Sequence, residues 1–380
     1  MKIAIDARLF GPQGTGIGKY TEKLIENLQK IDKRNNYFII LRKDNWYLFT
    51  PTSPNFEKVM VDAPFYSLKE QALLPAALQK IKPDVVHFTN FNVPLLYSGK
   101  FVVTIHDIIT KEFSGFSTTT RSLPVYLLKR AGLEITLRQT IRKAAKIIVP
   151  SFFVKRKLTE DFRAAKNKID VVNEGVDRSL VTTGKENISL GRQKQILLKY
   201  GIKSPFILYV GSYYPHKNIE TLLAAFKFVD EKYQLLLVGD RNIFLERILK
   251  IARLLKVEDR VLVSGFVADD ELPTLYKEAS CFVFPSISEG FGLPGLESMA
   301  SGCPVVASDI LTFKEIYGEG ALYFNPKKPE DLTSKINNLV KNQKMRAKLI
   351  ETGFEQIKKY SWEKMARETM EIYRSVGSKA

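Results

Sequence analysis

The sequence predicts an α/β fold made of two doubly wound domains that face each other across a cleft. Two series of short apolar runs, rich in Val and Ile, alternate with longer segments of helical periodicity. Runs that are apolar on both faces and separated by helices are typical of parallel strands buried under helices. The 380 residues also exceed one ordinary core, and two domains of roughly 150–200 residues each are expected.

Thirteen strand candidates form the two series. In the first half they are Ile3–Ile5, Tyr37–Leu41, Lys58–Val61, Val85–Phe88, Val102–Ile105, Ile147–Val149 and Ile169–Val172. In the second half they are Phe206–Val210, Gln234–Val238, Val261–Val263, Cys281–Phe284, Val305–Ala307 and Leu322–Phe324. Helical segments lie near Gly18–Ile31, Leu68–Lys80, Leu123–Ala144, Phe153–Phe162, Ile219–Val229, Ile243–Leu255, Glu271–Ala279, Leu296–Ser301 and Asp331–Val340. Strand signals lapse over 178–204, which is therefore predicted to link domains 1–180 and 200–360.

The composition narrows the compartment and the class of protein. Apolar residues make up 45% and charged residues 26%, which are ordinary values for a globular protein. Cys281 and Cys303 lie in apolar surroundings without CxxC spacing, which indicates buried thiols in a reducing compartment. Neither a signal-peptide layout nor a run of ~18 apolar residues occurs, so a cytoplasmic protein is expected. No histidine pair stands at metal-ligand spacing with a carboxylate, and no bound metal is expected.

Residues 121–168 carry much of the net charge of +17. They contain 13 Lys and Arg against three acidic residues, with aromatic and aliphatic residues interleaved. This pattern suits peripheral contact with an anionic membrane surface. Amphipathic helices with a solvated basic face explain it equally well, and nucleic acid would also be attracted by the charge.

The most informative stretch is Glu289-Gly-Phe-Gly-Leu-Pro-Gly-Leu-Glu297, which follows the apolar run Cys281–Pro285. Pro294 stands where a helix should begin, and Glu297 falls within the predicted first turn. Such a strand–loop–helix junction aims backbone N–H groups and the positive end of the helix dipole at one point, which suits a phosphate. A carboxylate on each side suggests that hydroxyl groups flank this phosphate, as they do in a nucleotide-sugar.

Two further loops carry weaker signals in the first half of the chain. The loop Gly11–Tyr20 does not fit a Walker A motif, because Gln13 and Tyr20 stand where that motif needs a glycine and a hydroxyl residue, and its glycines have the wrong spacing for a dinucleotide fingerprint. It is either a flexible turn whose amides approach a ligand or an ordinary tight strand-to-helix turn. His106-Asp107 ends a strand candidate at the edge where ligands bind, although a single histidine is more often a structural hydrogen-bonder.

Two loops of the second half complete the set. Lys217 of Gly211–Asn218 is expected at a helix start, where its charge is unfavourable with the dipole unless an anion lies between them. It is therefore a candidate ligand of a diphosphate, with a solvated lysine as the alternative. Gly265-Phe266-Val267 could offer backbone hydrogen bonds to a nucleobase, although an ordinary loop explains it better when it is taken alone.

Together these motifs resemble the retaining glycosyltransferases of the GT-B fold, in the large family called family 4 or group 1. The resemblance runs nearly end to end, and the spacing of Glu289 and Glu297 is its most specific part. It also includes Ser151 with Lys155, Glu174–Asp177 and the helix that begins at Ser361-Trp362. The particular residues of these motifs resemble those of bacterial and archaeal polysaccharide mannosyltransferases.

The resemblance implies a role for each motif. Glu289 would bind the transferred sugar, Glu297 the ribose, and Lys217 the departing diphosphate, while His106 would contact the sugar from the first domain. The implied catalytic residues are His106, Lys217 and Glu289. The implied donor-binding residues are Gly14, Gly16, Ser212, His216, Lys217, Phe266, Val267, Glu289, Gly290, Phe291, Gly292, Leu293 and Glu297. The final helix, about 361–380, would pack on the first, acceptor-side domain.

One departure from the family pattern concerns the diphosphate. Many members place an arginine directly after the glycine that is Gly211 here, and this chain has Ser212 instead. The counterpart of that cation in the Pro-x-Lys-Asn subgroup would be His216, which is only partly charged at neutral pH. Leaving-group stabilisation could therefore be weaker than usual, or shared with the helix terminus at Pro294.

The sequence therefore predicts a metal-independent hexosyltransferase without a cofactor. It would move a hexose, with mannose from GDP-mannose as the first candidate, onto a saccharide or lipid-linked acceptor with retention of configuration. Front-face substitution is favoured over double displacement, because Glu297 is expected at the ribose. A GT-B nucleotide-sugar epimerase is the alternative. A basic nucleic-acid-binding protein ranks last, because it leaves His106, Lys217 and Glu289 unexplained.

Overall fold

The structure, a computed structural model, describes residues 1–108, 123–177, 180, 189–203, 205–240 and 243–377. The predicted linker and the start of the basic segment thus lie partly outside the described residues. The described chain forms two compact units. One contains residues 1–108, 123–175 and 361–377, and the other contains the described part of 176–360.

The first unit has a seven-stranded, fully parallel sheet in the order β3-β2-β1-β4-β5-β6-β7. Its strands are β1 (Lys2–Asp6), β2 (Asn36–Leu41), β3 (Phe56–Met60), β4 (Val85–Phe88), β5 (Phe101–Thr104), β6 (Lys146–Val149) and β7 (Ile169–Val171). Its helices are α1 (Thr15–Ile31), α2 (Leu68–Ile81), α3 (Leu123–Lys143), α4 (Phe152–Phe162) and, from the C-terminus, α13 (Trp362–Gly377). Helix α13 packs on α1, and Ser361 Oγ accepts a hydrogen bond from the N–H of Lys364 at its start.

The second unit has a six-stranded parallel sheet in the order β10-β9-β8-β11-β12-β13. Its strands are β8 (Phe206–Val210), β9 (Gln234–Val238), β10 (Val261–Gly265), β11 (Cys281–Phe284), β12 (Val305–Ser308) and β13 (Ala321–Phe324). Its helices are α5 (Leu190–Lys199), α6 (Ile219–Phe226), α7 (Leu245–Leu255), α8 (Leu272–Glu278), α9 (Leu293–Ala300), α10 (Leu311–Tyr317), α11 (Pro329–Lys341) and α12 (Gln343–Ile357). Two doubly wound α/β domains are therefore confirmed.

The strand order decides where each unit can bind a ligand. In the second unit the order reverses between β8 and β11, and in the first it reverses between β1 and β4. The crevice beyond the carboxyl ends of the strands at such a switch point is where open α/β sheets bind ligands. The loops that follow β8 and β11 carry Lys217 and Glu289, and the loop that follows β1 carries Gly14.

Three helices were not predicted from the sequence. Helix α5 lies in the segment 178–204, where the chain was expected to be only a linker, and Ile196 is its one buried residue. Helix α10 is short, and its buried residues include the polar Thr312 beside Phe313, Ile316 and Tyr317. Helix α12 is mostly polar and buries Gly353, Gln356 and Ile357. In α5 and α12 few positions are buried, so the apolar pattern that reveals a helix is incomplete.

His87 lies within β4, one of the buried strands of the first sheet. The ring is fully buried, with Nδ1 2.6 Å from Tyr373 Oη of α13 and Nε2 2.8 Å from Thr104 Oγ1 of β5. Tyr20 Oη of α1 lies 3.0 Å from the same threonine hydroxyl. This polar network joins the C-terminal helix to the sheet, and its histidine is structural.

This network makes the first unit sensitive to acid. Burial lowers the pKa of His87 to about 3, whereas an unfolded histidine titrates near 6.5. Below about pH 6.5 the unfolded chain therefore binds a proton that the folded chain does not, and stability falls as the pH falls. We expect His87→Gln to flatten the decline of stability between pH 6.5 and 4 by up to ~1.4 kcal/mol per pH unit. Parallel stability profiles for the variant and the natural protein, measured by calorimetry, would contradict this role.

Candidate functional site

Two candidate residues that lie far apart in the sequence form an ion pair in the second unit. Lys217 ends a 3-10 turn, Pro215–Lys217, after β8, and Glu289 lies in the loop after β11. The lysine Nζ is 2.6 Å from Glu289 Oε1, and the two side chains are 16% and 10% exposed. The anion beside Lys217 in the structure is thus the carboxylate of Glu289, the first residue of the Glu289–Glu297 motif. The binding of a diphosphate by Lys217 stays a prediction.

Aromatic side chains surround this ion pair. Lys217 Nζ lies 5.5 Å from the centre of the Phe284 ring, within the range of a cation–π interaction. Tyr209 of β8 is fully buried nearby, and its pKa is raised well above the usual value by burial and by the charge of Glu289. Water is largely excluded around both charges, so each depends on the other for compensation.

The loop between Glu289 and α9 has the geometry of an anion cradle. Gly292 adopts φ +100°, a left-handed conformation that favours glycine, and the helix begins at the next residue. Within the part of the chain that the structure describes, the N–H groups of Phe291, Gly292 and Leu293 have no hydrogen-bond acceptor. Such N–H groups and the positive end of the helix dipole favour an anion at this point.

Glu297 lies one step further along α9 than predicted. The helix starts at Leu293, so Glu297 is its fifth residue and lies just beyond the first turn. Its side chain is buried, and Oε2 accepts a hydrogen bond of 3.4 Å from the Tyr276 hydroxyl of α8. The sequence motif contains no sign of this tyrosine.

The loop after β8 contributes Ser212 and His216. The Ser212 carbonyl accepts a hydrogen bond of 2.6 Å from the Tyr209 hydroxyl, which fixes the loop on the strand. Burial and the neighbouring Lys217 lower the pKa of His216 to about 4. The imidazole of His216 is therefore neutral near pH 7. Of these two neighbouring residues, only Lys217 is charged.

Phe266 and Val267 follow β10, which β9 separates from β8. The Phe266 ring is 63% exposed, whereas Val267 is buried. Gly265, just before them, adopts φ +71°, and the register of β10 against β9 shifts at the same place. The loop thus presents one aromatic face to solvent, and its assignment to a nucleobase stays a prediction.

In the first unit, the packing of the protein explains the glycine at one of the two predicted donor-binding positions, Gly14, but not the glycine at the other, Gly16. A Cβ at Gly14 would lie 1.9 Å from the carbonyl oxygen of Leu9, so packing within the protein already excludes a side chain. A Cβ at Gly16 would meet no atom within 4 Å. The fold therefore does not account for a glycine at position 16, and close approach of a ligand remains a reason for it.

His106 follows β5 and is held on three sides. Its Nδ1 lies 3.0 Å from Glu174 Oε1, and its Nε2 lies 3.1 Å from the carbonyl oxygen of Thr89. Tyr20 packs edge-on against the ring at 4.7 Å. Both ring nitrogens are thus engaged within the protein, so a contact with a sugar through nitrogen would have to replace one of these partners.

Several lysines of the basic segment bind carbonyl groups of the fold. Lys155 donates to Ile169, and Lys168 donates to the carbonyls of Arg142 and Ala144 at the end of α3. Ser151 caps α4 by accepting a hydrogen bond from the N–H of Val154. These contacts support the structural explanation for part of the charge. Arg142 and Arg156 are exposed, and so are the apolar side chains of Phe152 and Ile135.

Two kinds of feature do not occur among the described residues. None of the described helices is both long and apolar enough to cross a membrane. Likewise, three or more His, Cys, Asp or Glu side chains placed to share a metal ion do not occur among the described residues.

Comparisons with known proteins identify relatives of both units. Residues 193–356 match the family described as "Glycosyl transferases group 1", and residues 15–180 match "Glycosyltransferase Family 4". The O-antigen chain mannosyltransferase RfbU of Salmonella typhimurium is 29% identical over 251 residues, which are 66% of this chain and 63% of that protein. O-antigen chain mannosyltransferase B of Escherichia coli is 27% identical over 304 residues, 78% and 76% of the two chains.

A solved structure extends the likeness to the whole chain. Sucrose-phosphate synthase from Thermosynechococcus elongatus superposes with a TM-score of 0.78 at 21% identity, covering 99% of both chains. At this identity the likeness concerns the fold, which is that of the GT-B glycosyltransferases.

The buried ion pair should show strong energetic coupling. Removing one partner leaves an uncompensated charge, so Lys217→Met and Glu289→Gln should each destabilise the protein, and the double variant by less than their sum. We expect a coupling free energy of about 1–3 kcal/mol from denaturation of the four proteins. Lys358–Glu355 is a matched control, since its N–O distance is also 2.6 Å but both side chains are about two-thirds exposed. Equal coupling in the two pairs would contradict the buried role.

Proposed function

We propose that this chain, which belongs to the group 1 glycosyltransferases of family 4, transfers a hexose from a nucleotide-sugar to a saccharide or lipid-linked acceptor. One observation carries the proposal. Lys217 and Glu289 meet at the strand-order switch point of the second unit, beside the N-terminus of α9. A cation, a carboxylate and a row of N–H groups at one place match a diphosphate joined to a sugar.

We infer that the donor is GDP-mannose. The support comes from the relatives, since RfbU and O-antigen chain mannosyltransferase B are both named as mannosyltransferases. The aligned region spans 63% of RfbU, so the activity of that protein is carried over here only as a proposal. By the same reasoning the acceptor is a growing polysaccharide or its lipid-linked precursor.

Donor binding would exchange the partners of the ion pair. The diphosphate would take Lys217 and the N–H groups of Phe291 and Gly292, and this would release Glu289 to accept hydrogen bonds from sugar hydroxyls. Glu297 would bind the ribose hydroxyls, and Phe266 and Val267 would line the base. The buried pair thus keeps two charges in place until a ligand satisfies both of them.

The proposed reaction retains the anomeric configuration by front-face substitution. The bond between the anomeric carbon and the phosphate oxygen breaks through an oxocarbenium-like state, and the acceptor oxygen bonds to the same face of that carbon. The proton of the acceptor hydroxyl passes to the departing phosphate. Lys217 and the N–H groups before α9 stabilise the charge that develops there, since His216 is neutral. Trapping of a glycosyl ester on Glu289 would contradict this route.

The same assignment leaves no step that requires a metal ion or an organic cofactor. Positive charge at the leaving group comes from Lys217 and from backbone N–H groups, and proton transfer occurs between acceptor and phosphate. From the first unit, Gly16 would allow close approach of the donor phosphate, and His106 would contact the sugar. Full activity after treatment with a chelator is the outcome that this assignment requires.

We also propose that the basic segment, residues 121–168, contacts an anionic membrane. Vesicle flotation tests this proposal. We expect the protein to float with phosphatidylglycerol vesicles at low salt and to be released by added salt. Exposed arginines should carry this binding, so Arg142→Glu with Arg156→Glu should weaken it. Reversal of two exposed lysines of the second unit, Lys344→Glu with Lys348→Glu, is the matched control. Equal loss in both double variants, or no flotation at all, would contradict the membrane proposal.

The transferase proposal is tested by a donor screen followed by product analysis. GDP-mannose should raise the melting temperature more than UDP-, ADP- or TDP-sugars, because a ligand of the folded state stabilises it by mass action. With an acceptor present, mannose should appear in the product, and Lys217→Ala should lower kcat by roughly 100-fold or more. Equal stabilisation by all four donors would contradict the assignment of the donor. Epimerised sugar without transfer would contradict the reaction class.

A further inference from the structure

Helix α10 holds both ends of the loop that precedes α9. The Thr312 hydroxyl donates a hydrogen bond of 2.8 Å to the carbonyl of Glu289, at the start of the loop. The Tyr317 hydroxyl donates one of 2.6 Å to the carbonyl of Gly292, at its end. Both bonds are buried, so losing either hydroxyl weakens the hold on its carbonyl, although the Gly292 carbonyl also accepts a hydrogen bond of 3.2 Å from the N–H of Gly295.

The two bonds dictate which way the neighbouring N–H groups point. In a trans peptide the C=O and the following N–H point in opposite directions. Because the carbonyls of Glu289 and Gly292 face α10, the N–H groups of Gly290 and Leu293 face away from it. At both ends of the loop the carbonyl group therefore faces α10 and the following N–H group faces the opposite side.

The ring of Tyr317 reinforces the same arrangement. A Cβ at Gly292 would lie 2.3 Å from the tyrosine hydroxyl, and one at Gly295 would lie 2.3 Å from its ring. The space over both glycines is thus filled by this side chain. Burial raises the pKa of Tyr317 well above its usual value, so the phenol keeps its proton and remains a donor.

An aromatic stack connects the tyrosine to the catalytic lysine. Tyr317 stacks on Phe313 with ring centres 4.9 Å apart, and Phe313 stacks on Phe284 at 4.8 Å. Phe284 in turn lies beneath the ammonium group of Lys217. The helix therefore contacts the loop directly and is linked to the cation through one packed column.

We propose that Thr312 and Tyr317 are positioning residues, which fix both ends of the 289–292 loop and thereby hold the N–H groups of Phe291 and Gly292 between them in place for the donor diphosphate. For its ligand this inference rests on the proposed function, whereas the clamp on the loop can be measured without any ligand. Neither residue touches the reacting atoms; each acts through a carbonyl group of the loop.

The test compares the removal of two tyrosine hydroxyl groups, one that contacts the loop and one that does not. Tyr317→Phe removes the hydroxyl that binds the loop and keeps the ring. Tyr323→Phe is the matched control, because the Tyr323 hydroxyl donates to the carbonyls of Phe313 and Gly318, outside the loop. Thr312→Val and Thr312→Ser form a second pair, in which serine keeps the hydroxyl and should restore the natural behaviour.

The first readout is amide hydrogen exchange over residues 289–297 in the absence of nucleotide. We expect exchange about three- to tenfold faster in Tyr317→Phe and Thr312→Val than in the natural protein, Tyr323→Phe or Thr312→Ser. Unchanged exchange in Tyr317→Phe would overturn the clamp. So would equal acceleration in Tyr323→Phe, because the effect would then be general loosening of α10.

The second readout is calorimetric binding of GDP and of UDP. Tyr317→Phe should raise the dissociation constant of the preferred nucleotide about three- to tenfold, and Tyr323→Phe should leave it unchanged. Natural affinity in Tyr317→Phe would overturn the role in donor binding. If the natural protein binds neither nucleotide, the proposed function fails, and the exchange data still decide whether the clamp exists.

Discussion

The ion pair between Lys217 and Glu289 is the interaction on which the candidate site depends. The two residues are 72 positions apart and meet only because β8 and β11 are neighbours at the point where the strand order reverses. Each charge is mostly buried, so neither is stable there without the other or a ligand that replaces it. The pair thus already contains the two groups that a sugar diphosphate would need at its site, a cation for the diphosphate and a carboxylate for the sugar hydroxyls.

The surroundings of the pair explain why the loop has its sequence. Gly292 and Gly295 leave room for Tyr317, and Gly292 also supplies the left-handed backbone that starts α9. The sequence between Glu289 and Glu297 thus satisfies two constraints. It provides backbone N–H groups before α9, and it leaves space for the ring of Tyr317. Glycines that suggested only a phosphate in the sequence also have a steric partner in the fold.

Much of the fold could be predicted from the sequence, because buried parallel strands leave continuous apolar runs. Five of the six strands of the second unit begin at the residue that the pattern indicated, for example Phe206 and Cys281. Helix α10 was not predicted, and Thr312 and Tyr317 were missed with it, because one of its four buried positions is a polar threonine that weakens the apolar pattern. The pairing of His106 with Glu174 was also invisible, because it joins the ends of β5 and β7 across 68 positions.

Because the chain belongs to the group 1 glycosyltransferases, the chemistry expected at the Lys217–Glu289 site is glycosyl transfer. The central claim about this site is that Lys217 and Glu289 exchange each other for the donor when it binds. The crystal structure of the complex with GDP-mannose tests that claim most directly. We predict Lys217 Nζ within hydrogen-bond distance of a diphosphate oxygen, the N–H groups of Phe291 and Gly292 on the same group, and Glu289 bound to mannose hydroxyls. A diphosphate bound away from α9, with Lys217 still paired to Glu289, would contradict the account.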